Sequence, residues 1–196
     1  MDFVSVFVLL FLVMDPLGNV PLFVSTLEAV RPERRLKVLA RELMIALVAL
    51  FGFLAVGGHV MELLGIGPHA IAIAGALILF IIALKMLFPE TRPDYEDALD
   101  GEPLVVPLAI PLLAGPSIMA TLLLISGRGD TTMTVLGLAL FAAWVASAVI
   151  LFSSELLRRL LGKRGLIAME RLMGMILVAI AVQMFLDGLR DFLRPA

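Results

Sequence analysis

The chain of 196 residues is dominated by apolar side chains, with 61% hydrophobic residues, 16% charged residues and a mean hydropathy of +1.08. This composition excludes an ordinary soluble domain and indicates an integral membrane protein whose partner is the lipid bilayer. The net charge of −2 gives no sign of a nucleic-acid partner, and the lack of cysteine excludes disulfides and thiol chemistry.

Six apolar stretches are long enough, or nearly so, to cross the bilayer as helices of about 20 residues. They cover residues 3–27, 43–61, 63–84, 103–127, 131–154 and 168–189. The sequence therefore predicts an all-α membrane protein with six transmembrane helices. The first stretch is interpreted as a retained span and not as a cleaved signal, because it lacks a basic start and carries Asp15-Pro16 within its apolar run.

Lysine and arginine are concentrated in the loops that follow the first, third and fifth stretches. Positive charge is retained on the cytoplasmic side of short loops. We therefore predict that both termini lie outside the cytoplasm.

The two halves of the chain resemble each other in sequence. When LVMDPLGNVPLFVSTLE is placed over LLAGPSIMATLLLISGR, Pro16 aligns with Pro116, which lies 100 residues later. Chance similarity between apolar helices is the alternative, but the coincidence of the prolines favours a repeat. Three spans per half is an odd number, so the second half starts from the opposite side of the membrane. We predict two inverted-topology three-helix repeats, 1–98 and 99–196, in a single membrane domain.

Prolines interrupt the first and fourth spans. A proline removes a backbone donor, and unpaired backbone groups in hydrocarbon are tolerated where they face protein or a wet cavity. Asp15 is a favourable N-cap residue and Pro16 a favourable first residue of a helix. Gly115 and Pro116 form a similar but weaker pair. Helices 1 and 4 are therefore predicted to be broken near the midplane and to line a polar site.

Each restarting half-helix is expected to present free N–H groups and the positive end of its dipole. The groups belong to Leu17, Gly18, Asn19, Ser117, Ile118 and Met119. Helix starts of this kind bind carboxylates, and transporters built from inverted repeats hold substrates there. If Asp15 balances an ammonium or carries a coupling proton, the site suits a small zwitterion. An equally weighted reading makes Asp15 a helix cap, and the two roles are compatible.

The segments MDPLGNVPLF and PLAIPLLAGPSIMAT resemble the paired motifs of the MarC family (UPF0056 type) of bacterial and archaeal inner-membrane proteins. The resemblance covers essentially the whole chain. It implies a multi-pass protein of the cell inner membrane that transports small neutral amino acids, glycine and alanine, with a proton or sodium gradient and without a cofactor or metal. It places the substrate-binding region at Asp15, Pro16, Gly18, Asn19, Pro21, Gly115, Pro116, Ser117 and Thr121.

Other functions stay open from the sequence. One is an exporter of another small solute. A second is an intramembrane enzyme that uses Asp15 with Asp187, which the lack of an accompanying nucleophile or metal-ligand motif disfavours. A third is a membrane assembly factor, which needs no polar break in both halves. The favoured function is alternating-access transport of a small zwitterion, not an enzymatic one, with H+ or Na+ as the coupling ion and a homo-oligomer left open.

Overall fold

The structure is a computed structural model that describes residues 2–28, 30–88, 113–128 and 131–193. Within these ranges the chain forms seven α-helices and no strand, which confirms the all-helical fold class. The helices are α1 (Phe3–Met14), α2 (Pro16–Glu28), α3 (Pro32–Leu63), α4 (Pro68–Leu87), α5 (Pro116–Arg128), α6 (Met133–Phe152) and α7 (Ser154–Leu193).

Five helical stretches are long and apolar enough to cross a membrane. They are Phe3–Val24, Pro32–Leu63, His69–Leu87, Met133–Phe152 and Arg164–Leu193. The predicted fourth span lies partly outside the described residues, and so does the predicted boundary between the halves. The described part of that span contains the shorter apolar helix Ser117–Gly127.

α3 begins at Pro32, well before the predicted start of the second span at residue 43. A proline suits the first helical position because its missing N–H is not needed there, and Glu33 complements the positive end of the helix dipole. α3 therefore consists of a charged N-terminal section followed by the apolar span. A turn separates α3 from α4, which begins at Pro68, and Gly65 in this turn has φ 68°.

α7 consists of two helical segments that meet at Gly162, whose φ of 63° and ψ of 178° are accessible essentially to glycine alone. In the segment before this kink, Glu155 pairs with Arg158 at 2.8 Å and with Arg159 at 3.2 Å. The hydrogen bonds from Arg158 are the main reason why the pKa of Glu155 is lowered to about 2.

The helices pack around α4 and α7, which make the most extensive contact in the described part of the chain. α2 packs against α6 and α7, whereas α5 packs against α3 and α4. Small residues allow these approaches, since a Cβ at Gly75 on α4 would collide with the Cβ of Ala120 on α5. The two half-helices α2 and α5 are thus held by different pairs of long helices.

Candidate functional site

The chain breaks between α1 and α2 at Asp15. This residue has a left-handed backbone, with φ 45° and ψ 57°, a conformation that aspartate adopts more readily than most residues. Its N–H donates to the carbonyls of Phe11 and Leu12 at 3.1 Å and so closes α1. Pro16 then begins α2, so the predicted break in the first span is confirmed.

Asp15 also caps α2. Its Oδ1 accepts the N–H of Gly18 at 3.0 Å, and its carbonyl accepts the N–H of Asn19 at 3.1 Å. The side-chain Nδ2 of Asn19 donates to the carbonyl of Met14 at 3.1 Å, which satisfies one of the last carbonyls of α1. The predicted capping role is confirmed. The prediction that the N–H groups of Gly18 and Asn19 are free is wrong, because Asp15 accepts both.

The carboxylate of Asp15 is buried, with 5% of the residue exposed. A side-chain carbon at Gly18 would collide with Oδ2 of Asp15 and with Cε of Met86 on α4. The missing side chain at Gly18 is therefore what lets the carboxylate and the methionine both lie against the first turn of α2. Sequence reasoning did not single out Met86, since nothing local to α4 shows that it reaches α2.

The second break lies immediately before α5. Gly115 is not helical, and α5 begins at Pro116. The N–H of Met119 donates to the carbonyl of Gly115 at 3.2 Å, so the prediction that it is free is wrong. Ser117 and Ile118 occupy the first turn, where a helix offers their N–H groups no acceptor, and Gly115 has no side chain to cap them. Both residues are buried.

The two half-helices match in length but differ in their caps. α2 and α5 each have 13 residues and each begin at a proline. A carboxylate covers the start of α2, whereas a glycine precedes α5. Residue 115 therefore supplies no capping side chain to the partial positive charge at the buried start of α5, and such a turn suits an anionic group such as a carboxylate.

Thr121 lies one turn further along α5 and is fully buried. Its Oγ1 donates to the carbonyl of Ser117 at 2.9 Å and lies 4.0 Å from Sδ of Met184 on α7. Met184 therefore lies against α5, as Met86 lies against α2. Each half-helix is covered by one methionine from the pair of long central helices.

The structure places the nine predicted binding residues around the two breaks. Asp15, Pro16, Gly18, Gly115, Ser117 and Thr121 are buried, Asn19 and Pro21 are partly exposed, and Pro116 begins α5. α1, which ends at the first break, contacts α5, which begins at the second. Whether these residues bind a substrate stays a prediction.

A buried carboxylate outside both motifs was not predicted. Glu42 on α3 is 1% exposed, and its Oε1 accepts hydrogen bonds from Nε and Nη2 of Arg41 at 3.2 and 3.0 Å. Its Oε2 is buried and has no hydrogen-bond partner among the described residues. The sequence holds one signal for this burial, since Glu42 shares a helix face with Leu39 and Ala46, both of which are buried.

The sequence profile of MarC family integral membrane proteins matches residues 1–193. The chain is 47% identical over 194 residues to the UPF0056 inner membrane protein YhgN of Escherichia coli (strain K12), with 98% of each chain covered. It is 44% identical over 194 residues to a UPF0056 membrane protein of Buchnera aphidicola subsp. Baizongia pistaciae, covering 97% of this chain and 98% of that one. It is 36% identical over 199 residues to a UPF0056 membrane protein of Archaeoglobus fulgidus, covering 96% and 92%. No solved structure matches the chain significantly. The chain therefore belongs to the MarC family of integral membrane proteins.

Proposed function

We propose that this chain is a secondary transporter of small neutral amino acids, glycine and alanine, that works by alternating access and uses a proton or sodium gradient. The observation that carries the proposal is the pair of 13-residue helices, α2 and α5, which each begin at a proline. A helix start in this position presents polar groups where lipid offers none, and transporters bind their substrates at such breaks.

We further propose that the two halves form inverted-topology repeats. The helix contacts support this relation, because exchanging the halves converts the packing of α2 on α6 and α7 into the packing of α5 on α3 and α4. In alternating access, one half then moves against the other while the substrate stays between the two half-helix starts.

The proposed substrate binds by both of its charges. Its carboxylate accepts hydrogen bonds from the N–H groups of Ser117 and Ile118 at the uncapped start of α5. Its ammonium group pairs with the carboxylate of Asp15 at the start of α2. Met86 lies against α2 and Met184 lies against α5, and under this proposal they limit the size of the substrate side chain. Under this proposal the chain is a carrier and not an enzyme, and the acid at Asp187 has no part in it.

Flux of labelled glycine tests the function directly. The purified chain is reconstituted in proteoliposomes, and uptake and efflux are measured with a pH gradient, with a sodium gradient and with neither. We expect accumulation against the glycine gradient under one of the ion gradients. Absence of protein-dependent glycine and alanine flux under all conditions contradicts the proposal.

A matched pair of variants at residue 115 tests the binding mode. Gly115→Asp gives α5 the cap that α2 already has, so its carboxylate competes with the substrate for the N–H groups of Ser117 and Ile118. We expect this variant to fold and to lose glycine transport, whereas Gly115→Ala supplies no carboxylate and retains it. Equal transport by both variants contradicts the proposed role of the α5 start.

A further inference from the structure

The carboxylate of Glu42 on α3 is buried and is not used by the function proposed above. Oε1 accepts two hydrogen bonds from Arg41, whereas Oε2 has no partner among the described residues. A buried polar atom without a hydrogen-bond partner carries a desolvation penalty that a bound partner relieves. An orphaned buried atom of this kind calls for a partner that the protein does not supply, such as a water, an ion or a proton.

The surroundings of Glu42 exclude most ligands. The residues one turn away on α3 are apolar, namely Val38, Leu39, Ile45 and Ala46. Among the described helices, α3 packs mainly against α5 and α6, and neither residues 116–127 nor residues 133–152 include an ionisable side chain. A hard metal cation takes several oxygen ligands, and the described residues include no cluster of three or more carboxylate or histidine side chains that could hold one. A proton needs only the one free oxygen.

Arg41 is the charged group that faces Glu42, and its side chain is 44% exposed whereas that of Glu42 is 2% exposed. The two partners therefore differ in burial, since Arg41 lies at the surface of the protein and Glu42 lies inside it. When a proton bonds to Oε2, Glu42 becomes neutral, and the positive charge of Arg41 stays at that surface. When the proton leaves, Arg41 again neutralises the carboxylate.

The segment that carries Glu42 and the end of α1 make contacts with neighbouring residues of α6. The carbonyl of the next residue, Leu43, accepts a hydrogen bond from Nε1 of Trp144 at 2.9 Å. One turn later on α6, about 4.5 Å along the helix axis, Oγ of Ser147 lies 3.6 Å from Sδ of Met14, the residue before Asp15. α6 therefore contacts both the segment that carries Glu42 and the end of α1.

From this geometry we propose that Glu42 binds the proton that drives transport, with Arg41 as the partner that holds its charged form. The assignment rests on the proposed transport function and makes it proton-coupled and not sodium-coupled. α6, which contacts both sites, is the element through which protonation at Glu42 biases the helix break at Asp15.

Infrared difference spectroscopy of the full chain in lipid tests proton binding without any transport measurement. As the pH is lowered, we expect the carbonyl stretch of a protonated carboxylic acid in the wild type and in Glu62→Gln, whose side chain is exposed. We expect a component of this band to be lost in Glu42→Gln. Identical difference spectra in the wild type and Glu42→Gln overturn the proposal.

Glycine flux in proteoliposomes tests the coupling. In Glu42→Gln we expect exchange of labelled for unlabelled glycine to persist while accumulation driven by the pH gradient is lost. Normal accumulation by this variant overturns the assignment of Glu42 and leaves the transport function standing. If the wild type moves no glycine, the transport function fails, and the infrared result still decides whether Glu42 binds a proton.

A second variant covers the case in which Glu42→Gln does not fold. Arg41→Gln keeps the carboxylate and removes the positive charge and the two hydrogen bonds to Oε1, so the position of the acid band should differ from that in the wild type. Arg41→Lys keeps the charge and should restore most of the wild-type behaviour. An unchanged band position in Arg41→Gln overturns the proposal.

Discussion

The terminal methyl group of Met86 on α4 lies so close to Gly18 on α2 that a side-chain carbon at residue 18 would overlap it unless the methionine moved. The carboxylate of Asp15 occupies the other side of the same space. Gly18→Ala should therefore lower the free energy of unfolding by about 1–3 kcal/mol, as overpacking of a tight site does. Thermal unfolding of the purified chain in detergent measures the change.

The matched control for Gly18→Ala is Gly58→Ala on α3, because an added Cβ at Gly58 meets nothing within 4 Å. A helical glycine replaced by alanine in open space should stabilise the chain by roughly 0.5–1 kcal/mol. Met86→Ala in the Gly18→Ala background should recover part of the loss, since the carboxylate of Asp15 still occupies the site. Equal midpoints for the two single variants contradict the close packing of Gly18.

The contact between Gly75 on α4 and Ala120 on α5 provides a separate test of helix packing. A Cβ at Gly75 would overlap that of Ala120, so Gly75→Ala should force the two helices apart and cost about 1–3 kcal/mol. Ala120→Gly should restore stability in the double variant. A double-mutant cycle measures the coupling, and additive effects of the two changes mean that the residues do not touch.

Asp15 has a capping role and a proposed binding role, and two substitutions separate them. Asparagine accepts the N–H of Gly18 and tolerates a left-handed backbone, so Asp15→Asn should fold normally and lose transport with its charge. Asp15→Ala should lose transport and also about 1 kcal/mol of stability with the cap. Glycine flux and thermal unfolding are measured on both. Wild-type flux in both variants means that Asp15 does not contact the substrate, and Asp187→Asn is the control.

The pair of Glu155 and Arg158 predicts a measurable titration. Arg158 lowers the pKa of Glu155 from its ordinary value of 4.5 to about 2. Because the folded pKa is the lower one, the charged pair favours the folded state above pH 4.5, and this contribution is lost as the pH falls through about 2. Carboxyl NMR of the chain in micelles should show this pKa return toward 4.5 in Arg158→Ala. Arg190→Ala should leave it unchanged.

The distribution of lysine and arginine predicts the orientation of the chain. With both termini outside the cytoplasm, alkaline phosphatase fused after Ala196 should be active, and a fluorescent protein that folds only in the cytoplasm should stay dark at the same position. The reverse pattern contradicts the predicted topology.

The helix breaks were predictable because their causes are local. A proline begins each half-helix and the residue before it sets the cap, so the starts at Pro16 and Pro116 follow from the sequence alone. The same local chemistry limited the prediction. The N–H groups that bond to Asp15 depend on its left-handed backbone. The seven-residue motif DPLGNVP does not predict this positive φ angle.

The covering residues of the site depend on packing between distant segments. Met86 and Met184 resemble any other apolar residues of a span, and only the placement of α4 and α7 brings them against α2 and α5. Glu42 lies just outside the second predicted span, 43–61, because a charge ends an apolar run, although it does not end a helix. α3 begins at Pro32 and continues through Glu42. The helical repeat places the carboxylate of Glu42 on the buried face of α3.

The hydrogen bond from Trp144 to the carbonyl of Leu43 joins α6 to α3 at 2.9 Å. The chain contains a single tryptophan, so all of its indole fluorescence comes from Trp144. That emission depends on the hydrogen bond and on the polarity around the ring. Movement of α3 against α6 therefore changes the intrinsic fluorescence of the unmodified protein, which gives a label-free optical signal for conformational change in the membrane.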